Sequence, residues 1–186
     1  KTNYSKTILA GILLGFHFAL FFGAIKLTLI SNATFLGTIA PLFTLILEIL
    51  ILKRKFNLKI ILGLILSLLG AYVIFGNGFD LSKGYTLGNS LAIACSFCLA
   101  LSFMIAEKVR QTENTIVYTR LLYLSAAMTL LIISFIGIAL LEVINYVEHY
   151  GLLRKKEADG RYEKINKMHS WNANNTLMRI MSFELT

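Results

Sequence analysis

The chain has 186 residues, 56% of them apolar and only 15% charged, with a formal net charge of +8. Soluble domains carry about a quarter charged residues, so this composition excludes an ordinary water-soluble fold and indicates an integral membrane protein. The basic excess does not indicate nucleic acid: it sits in short clusters beside apolar segments, without a basic face or recognition motif. That pattern sets orientation in a bilayer.

Apolar runs predict spans at residues 7–25, 27–52, 58–75, 85–106 and 115–141. About 20 residues, at about 1.5 Å rise each, cross the hydrocarbon core, so each run can span it. The third is the shortest, and the fifth is long enough to tilt or project. The connectors leave no room for a soluble domain. The expected fold is therefore all-α, an integral membrane helical bundle of about five transmembrane helices with a polar C-terminal tail.

In the first span His17 lies near the middle, where an ionisable group is costly and tends to face a cavity. It either faces such a cavity or is held by a hydrogen bond within the packing. Small residues recur at four-residue spacing as Gly11/Gly15, Ala33/Gly37, Ser67/Ala71 and Gly84/Gly88, which lets helix backbones approach closely in lipid. Pro41, inside the second span, removes an N–H and frees a carbonyl near Gly37. Such a break either lines a polar cavity or is a tolerated kink. Glu48 lies about a turn from Lys53, Arg54 and Lys55 and is expected to pair there, and Arg120 in the fifth span is expected to snorkel. Cys95 and Cys98 form a C-x-x-C inside an apolar helix. A redox motif wants an aqueous turn, so these read as two small packing residues on one helical face.

Counting Lys and Arg gives eight on one side (Lys1, Lys6, Lys53, Arg54, Lys55, Lys59, Lys108, Arg110) and two on the other, Lys26 and Lys83. The positive-inside rule then places the N-terminus in the cytoplasm and, after five spans, the tail outside. The tail's own basic residues, Arg154 to Lys167, favour the cytoplasm, so the two halves favour opposite topologies. The chain begins with Lys1 and shows no cleavable signal peptide, which reads as a fragment or a processed chain.

Beyond residue 141, Glu142, Asn145 and His149 share one helical face, with Tyr146 beside them. Two readings stand: a metal site, since His and Glu suit non-haem iron, or an ordinary helix end at the interface.

Gly15-Phe-His17-Phe-Ala-Leu-Phe-Phe-Gly-Ala-Ile-Lys-Leu-Thr28, then Asn32-Ala-Thr-Phe-Leu-Gly-Thr-Ile-Ala-Pro41-Leu-Phe-Thr, resemble the EamA domain of the drug/metabolite transporter superfamily. Gly63-x6-Gly70-Ala-Tyr-Val matches the end of that repeat, and Gly84-Tyr-Thr-Leu-Gly88-Asn resembles the start of a second; the resemblance covers about residues 5–137. It implies a bacterial inner-membrane exporter of small metabolites, built from two inverted five-helix repeats of which this chain holds half. It also implies a substrate cavity near His17, Asn32 and Pro41. Arg54 stands where the family often has Glu, which puts any role of that acid in doubt here.

Glu142-Val-Ile-Asn-Tyr-Val-Glu-His-Tyr-Gly-Leu-Leu-Arg154, with Gly160-Arg-Tyr-Glu163 and His169-Ser-Trp-Asn172, resembles the C-terminal region of integral-membrane alkane monooxygenases, over about residues 138–176. That family uses a non-haem diiron centre, O₂ and rubredoxin electrons. The resemblance implies a ligand role for His149 and supporting positions for Glu142, Asn145, Tyr146, Glu148 and Tyr150, and none as ligand for His169 or Trp171. With only three histidines in the chain, one inherited ligand cannot hold two irons. The expectation is a partial transporter over residues 1–137 joined to a monooxygenase-like segment over 138–186, a chimeric chain that is not itself an enzyme. Its expected partners are the lipid bilayer and a small metabolite, with a homo-oligomer left open. No cofactor is expected; non-haem iron and rubredoxin enter only under the alternative of a monooxygenase fragment.

Overall fold

A computed structural model describes residues 3–55, 57–75, 78–150, 155–158 and 160–164. Six helices follow one another: α1 Tyr4–Leu27, α2 Ile30–Gly37, α3 Ala40–Leu52, α4 Leu58–Phe75, α5 Thr86–Arg110 and α6 Thr115–His149, with a short 3-10 turn Lys83–Tyr85 before α5. The all-α membrane bundle expected from composition is what forms. The chain divides into two compact units, Lys1–Ile132 and Ile133–Thr186, the division falling inside α6.

In the first unit α5 is the central helix, because its sequence supplies small residues where neighbours must come close. Gly88, Asn89, Ala92, Cys95, Ser96, Ala100 and Ser102 are all buried. α1 runs antiparallel along it: Ser102 donates to the Ala10 carbonyl at 3.0 Å, His17 meets Cys95, and Thr28 donates to Asn89 at 2.7 Å. At Gly88 the contact is backbone to backbone; a Cβ there would lie 2.5 Å from the Leu27 carbonyl carbon. Gly11 and Gly15 admit α6 in the same way, against Leu122, Ser125, Ala126 and Thr129. The small-residue spacing thus marks true contacts at Gly11 and Gly15 on α1 and at Gly88 on α5, but not at Gly84, which has nothing within 4 Å; Gly63 and Gly70 of α4 are equally open.

The predicted second span is broken. Thr38 and Ile39 separate α2 from α3, with Pro41 in the first turn of α3. Proline has no N–H for the Gly37 carbonyl, and its ring crowds that carbonyl, so one uninterrupted helix is disfavoured. The Thr38 N–H closes α2 onto the Thr34 and Phe35 carbonyls at 3.0 and 3.2 Å, and the Leu42 N–H restarts the ladder on Ile39 at 2.9 Å. The Leu36 carbonyl takes its hydrogen bond from the buried Ser96 hydroxyl of α5. A neighbouring helix therefore satisfies a backbone group exposed by the break, as lipid requires.

Among the described residues, four segments are long and apolar enough to cross a membrane: Tyr4–Leu27, Ile30–Leu52, Thr86–Arg110 and Thr115–Tyr146. α4, with 18 residues, is about 27 Å long and at the short limit. Its two ends nevertheless lie at opposite ends of the bundle. The turn before it carries Arg54, bonded to Glu107 at 2.6 Å near the C-terminus of α5. The loop after it meets the start of α2, where Asp80 N–H donates to Asn32 at 3.0 Å. α4 thus returns over the same length as α2 and α3 together.

In the second unit α6 continues to His149, past the predicted end at 141. No Gly or Pro interrupts residues 138–150, so nothing local stops the helix there. The charged segment beyond is not featureless. Lys156 and Tyr162 form an antiparallel bridge, closed by Glu157 N–H to the Arg161 carbonyl at 2.7 Å and Glu163 N–H to Lys155 at 3.0 Å. Gly160, at φ 82, supplies the left-handed residue that this turn needs.

Candidate functional site

His17 projects from α1 toward α5. Its Nδ1 lies 3.1 Å from the Cys95 carbonyl and 3.0 Å from Cys95 Sγ. A carbonyl only accepts, so Nδ1 donates in this contact. No buried side-chain nitrogen or oxygen among the described residues lacks a hydrogen-bond partner. Nε2, which makes no hydrogen bond, therefore retains accessible surface. It belongs to a residue that lines a cavity of about 430 Å³ together with Phe18, Phe21, Thr38, Pro41 and Phe103. One nitrogen of His17 is thus held within the packing, and the residue lines a cavity.

The helix break positions the opposite wall. Because α2 stops at Gly37 and α3 starts at Ala40, Thr38 and Pro41 come to the cavity surface instead of lying within a continuous helix. Phe21 stacks on the His17 ring at 6.5 Å and also approaches Gly37, whose missing side chain admits it. The cavity is largely aromatic and apolar with a few polar groups, as small-molecule sites are.

Asn32 is not part of that lining. It is fully buried at the other end of α2, where its amide donates to Asn89 Oδ1 at 3.0 Å, to Thr28 Oγ1 at 3.2 Å and to the Asp80 carbonyl, and accepts from Asp80 N–H. Thr28 closes the cluster onto Asn89. This network ties α1, α2, α5 and the loop before α5 together, a structural duty that leaves the amide little capacity for a solute. Thr28, Asp80 and Asn89 escaped the sequence reading, although Asn89 is itself a polar residue inside a predicted span. Phe103 and Phe18 had no such signal.

At the opposite end Arg54 bridges Glu48 at 3.1 Å and Glu107 at 2.6 Å. The pairing of Glu48 is as expected; Glu107, far off in sequence, was not foreseen. The hydrogen bond to Glu107 raises the Arg54 pKa above its ordinary value, with the charges of Glu107 and Glu48 adding and desolvation opposing. Cys95 is buried, Cys98 half-buried, and both are free thiols.

Of the residues beyond 141, Glu142, Asn145 and Tyr146 are exposed on α6, and the Tyr146 ring lies 5.1 Å from that of Tyr150. The side chains of Glu148 and His149, and all of His169 and Trp171, lie outside the described residues. Among the described residues no three His, Cys, Asp or Glu side chains come together as a metal site.

Comparison with known proteins divides the chain in two. Residues 1–76 match the EamA-like transporter family, which takes in α1 to α4 and with them His17, Asn32 and Pro41. A different stretch is similar to alkane monooxygenases. It is 54% identical over 52 residues to alkane 1-monooxygenase 1 of Pseudomonas aeruginosa, covering 28% of this chain and 14% of that protein. It is 52% identical over 52 residues to alkane 1-monooxygenase of Acinetobacter baylyi, covering 28% of this chain and 13% of that protein. A third relative, alkane 1-monooxygenase of Pseudomonas putida, is 56% identical over 41 residues, covering 22% of this chain and 10% of that protein. The chain thus spans only a small part of the length of the curated relatives it matches. No solved structure matches it. The molecule is an integral membrane helical protein whose residues 1–76 match the EamA-like transporter family and another stretch of which is similar to alkane 1-monooxygenases.

Proposed function

We propose that the protein moves a small metabolite across a membrane, with the cavity between His17 and Pro41 as the solute site. The observation that carries this reading is the coincidence of a broken helix, a mid-span imidazole with one nitrogen accessible, and an aromatic cavity, all within the EamA-like region or facing it. Non-helical backbone at membrane depth is tolerated where it lines a cavity. Here Nε2 is left to meet the solute, Thr38, whose O–H donates to the Phe35 carbonyl at 2.9 Å, offers its oxygen as an acceptor, and Phe18 and Phe21 provide apolar contact. Two finer points belong to the same proposal: the membrane is a bacterial inner membrane, and the N-terminus is cytoplasmic. Lys6, Lys53, Arg54, Lys55, Lys59, Lys108 and Arg110 all belong to the end of the bundle that holds Asn3, whereas Lys26 and Lys83 belong to the other, which supports that orientation. Flux assays in vesicles test the reading: His17→Ala is expected to abolish saturable uptake or efflux of a screened metabolite with the fold intact. Flux that is saturable and unchanged in His17→Ala would sink it.

A second reading rests on the similarity to alkane 1-monooxygenases. It would require iron, and the side chains of Glu148 and His149, and all of His169, lie outside the described residues. Metal analysis of the purified chain decides it; two irons per chain, bound stoichiometrically, would favour this reading over transport.

A further inference from the structure

A second cavity, of about 290 Å³, lies between α1, α5 and the start of α6, lined by Arg110, Thr115, Tyr118 and Thr119, with Phe103 on one side. Tyr118 is 5% exposed, yet its hydroxyl makes no hydrogen bond. Since no buried side-chain oxygen among the described residues is left unpartnered, that hydroxyl retains some accessible surface, and Tyr118 lines this cavity. Arg110 makes no ion pair among the described residues, although acids are close. Glu107, which lines the adjoining cavity with Arg110, is bonded to Arg54, and Glu113 accepts the Asn3 N–H at 2.8 Å. Thr115 is the first residue of α6, so the positive end of a long helix faces the same space. A guanidinium without an ion pair and a phenol without a hydrogen bond line one cavity with no carboxylate among its lining residues, at a helix start whose Ile116 N–H already donates to Asn114 Oδ1 at 2.9 Å. That set binds an anionic oxygen pair.

Phe103 gives the cavity its second property. The same ring lines the Arg110 cavity and the His17 cavity, so one apolar wall separates an anion-binding end from an aromatic chamber. We propose that Arg110 and Tyr118 bind the anionic group, a carboxylate, of a small amphipathic solute whose apolar body lies against Phe103. The solute class rests on the transport reading; the anion site does not. An anionic lipid headgroup presents the same chemistry and has to be separated from a soluble carboxylate.

The test uses the full chain in nanodiscs of phosphatidylcholine alone, with benzoate as the probe and benzyl alcohol as its neutral counterpart. Saturable benzoate binding is expected, weakened about tenfold or more by Arg110→Gln and less by Tyr118→Phe, which keeps the ring and its packing. Arg110→Lys is expected to restore part of the affinity, and benzyl alcohol to bind without regard to residue 110. Arg110-dependent retention of phosphatidylglycerol, with no benzoate bound, assigns the site to a headgroup and overturns the solute class. Absence of any Arg110-dependent anion binding, in protein whose melting temperature is unchanged, overturns the site. Binding is read at equilibrium, so a failed flux assay would count against transport and leave this result standing.

Discussion

Gly88 and Gly63 are both helical glycines in predicted spans, but their surroundings are opposite. A Cβ at Gly88 would meet the Leu27 carbonyl carbon at 2.5 Å and Thr28 Cβ at 2.7 Å, while at Gly63 nothing lies within 4 Å. Gly88→Ala must therefore push α1 from α5, and a loss of about 1–3 kcal/mol is expected. Gly63→Ala should be neutral or stabilise by up to about 1 kcal/mol through helix propensity. Thermal melting of the two variants in one detergent checks the contrast; equal shifts would refute it. Asn89→Leu removes the acceptor shared by Thr28 and Asn32. It should cost about 1–3 kcal/mol for the donors left unpaired. Adding Asn32→Leu should cost less than the sum of the two single changes, as expected for residues in one network. The glycine spacing was legible in the sequence, but not which glycines are occupied: a motif states what can come close, and a neighbour decides whether anything does.

The decisive element is the helix pair α2–α3. Proline at 41 predicts the break, and the structure adds its two consequences, the Ser96 bond to the Leu36 carbonyl and the cavity at Thr38. Pro41→Ala restores an N–H for the Gly37 carbonyl and should draw the two helices toward one. A cysteine at Thr38, in a background lacking Cys95 and Cys98, should then react more slowly with a maleimide than it does with Pro41 present. An unchanged rate would mean that proline is not what holds the break open. At the far end of α3, Arg54 links α3 to α5 through an exposed pair of bridges. Exposed pairs are screened by salt, so any melting-temperature difference between Arg54→Gln and the unaltered protein should vanish in high salt. The Glu48 half of this contact was readable because it is local in sequence. The Glu107 half depends on how α5 packs, which no local pattern encodes.

At the scale of the molecule, the question is how many times the chain crosses the bilayer. Length alone leaves α4 short, but its ends lie at opposite ends of the bundle beside Glu107 and Asn32. With the four longer spans, that placement of α4 is the arrangement five crossings would need. Under the proposed orientation with five crossings, topology reporters placed at Lys55 and Lys83 should report opposite sides, with Lys55 cytoplasmic, and one at Glu157 should report the side opposite the N-terminus. A Lys83 reporter on the same side as Lys55 would show that α4 does not cross.

Composition and apolar run length determined by themselves that this is a multi-pass helical membrane protein, because lipid leaves a chain few ways to satisfy its backbone. Motif strings also separated an EamA-like region from a stretch similar to alkane 1-monooxygenases, since those strings are contiguous. Tertiary structure alone decided which side chains join His17 and Pro41 around a cavity, that Asn32 is committed to Asn89 and Asp80 instead, and that Phe103 lines two cavities. Those pairings join residues on different helices, and their geometry is set by backbone approach at a few small residues. Side-chain periodicity along one helix carries no record of that approach.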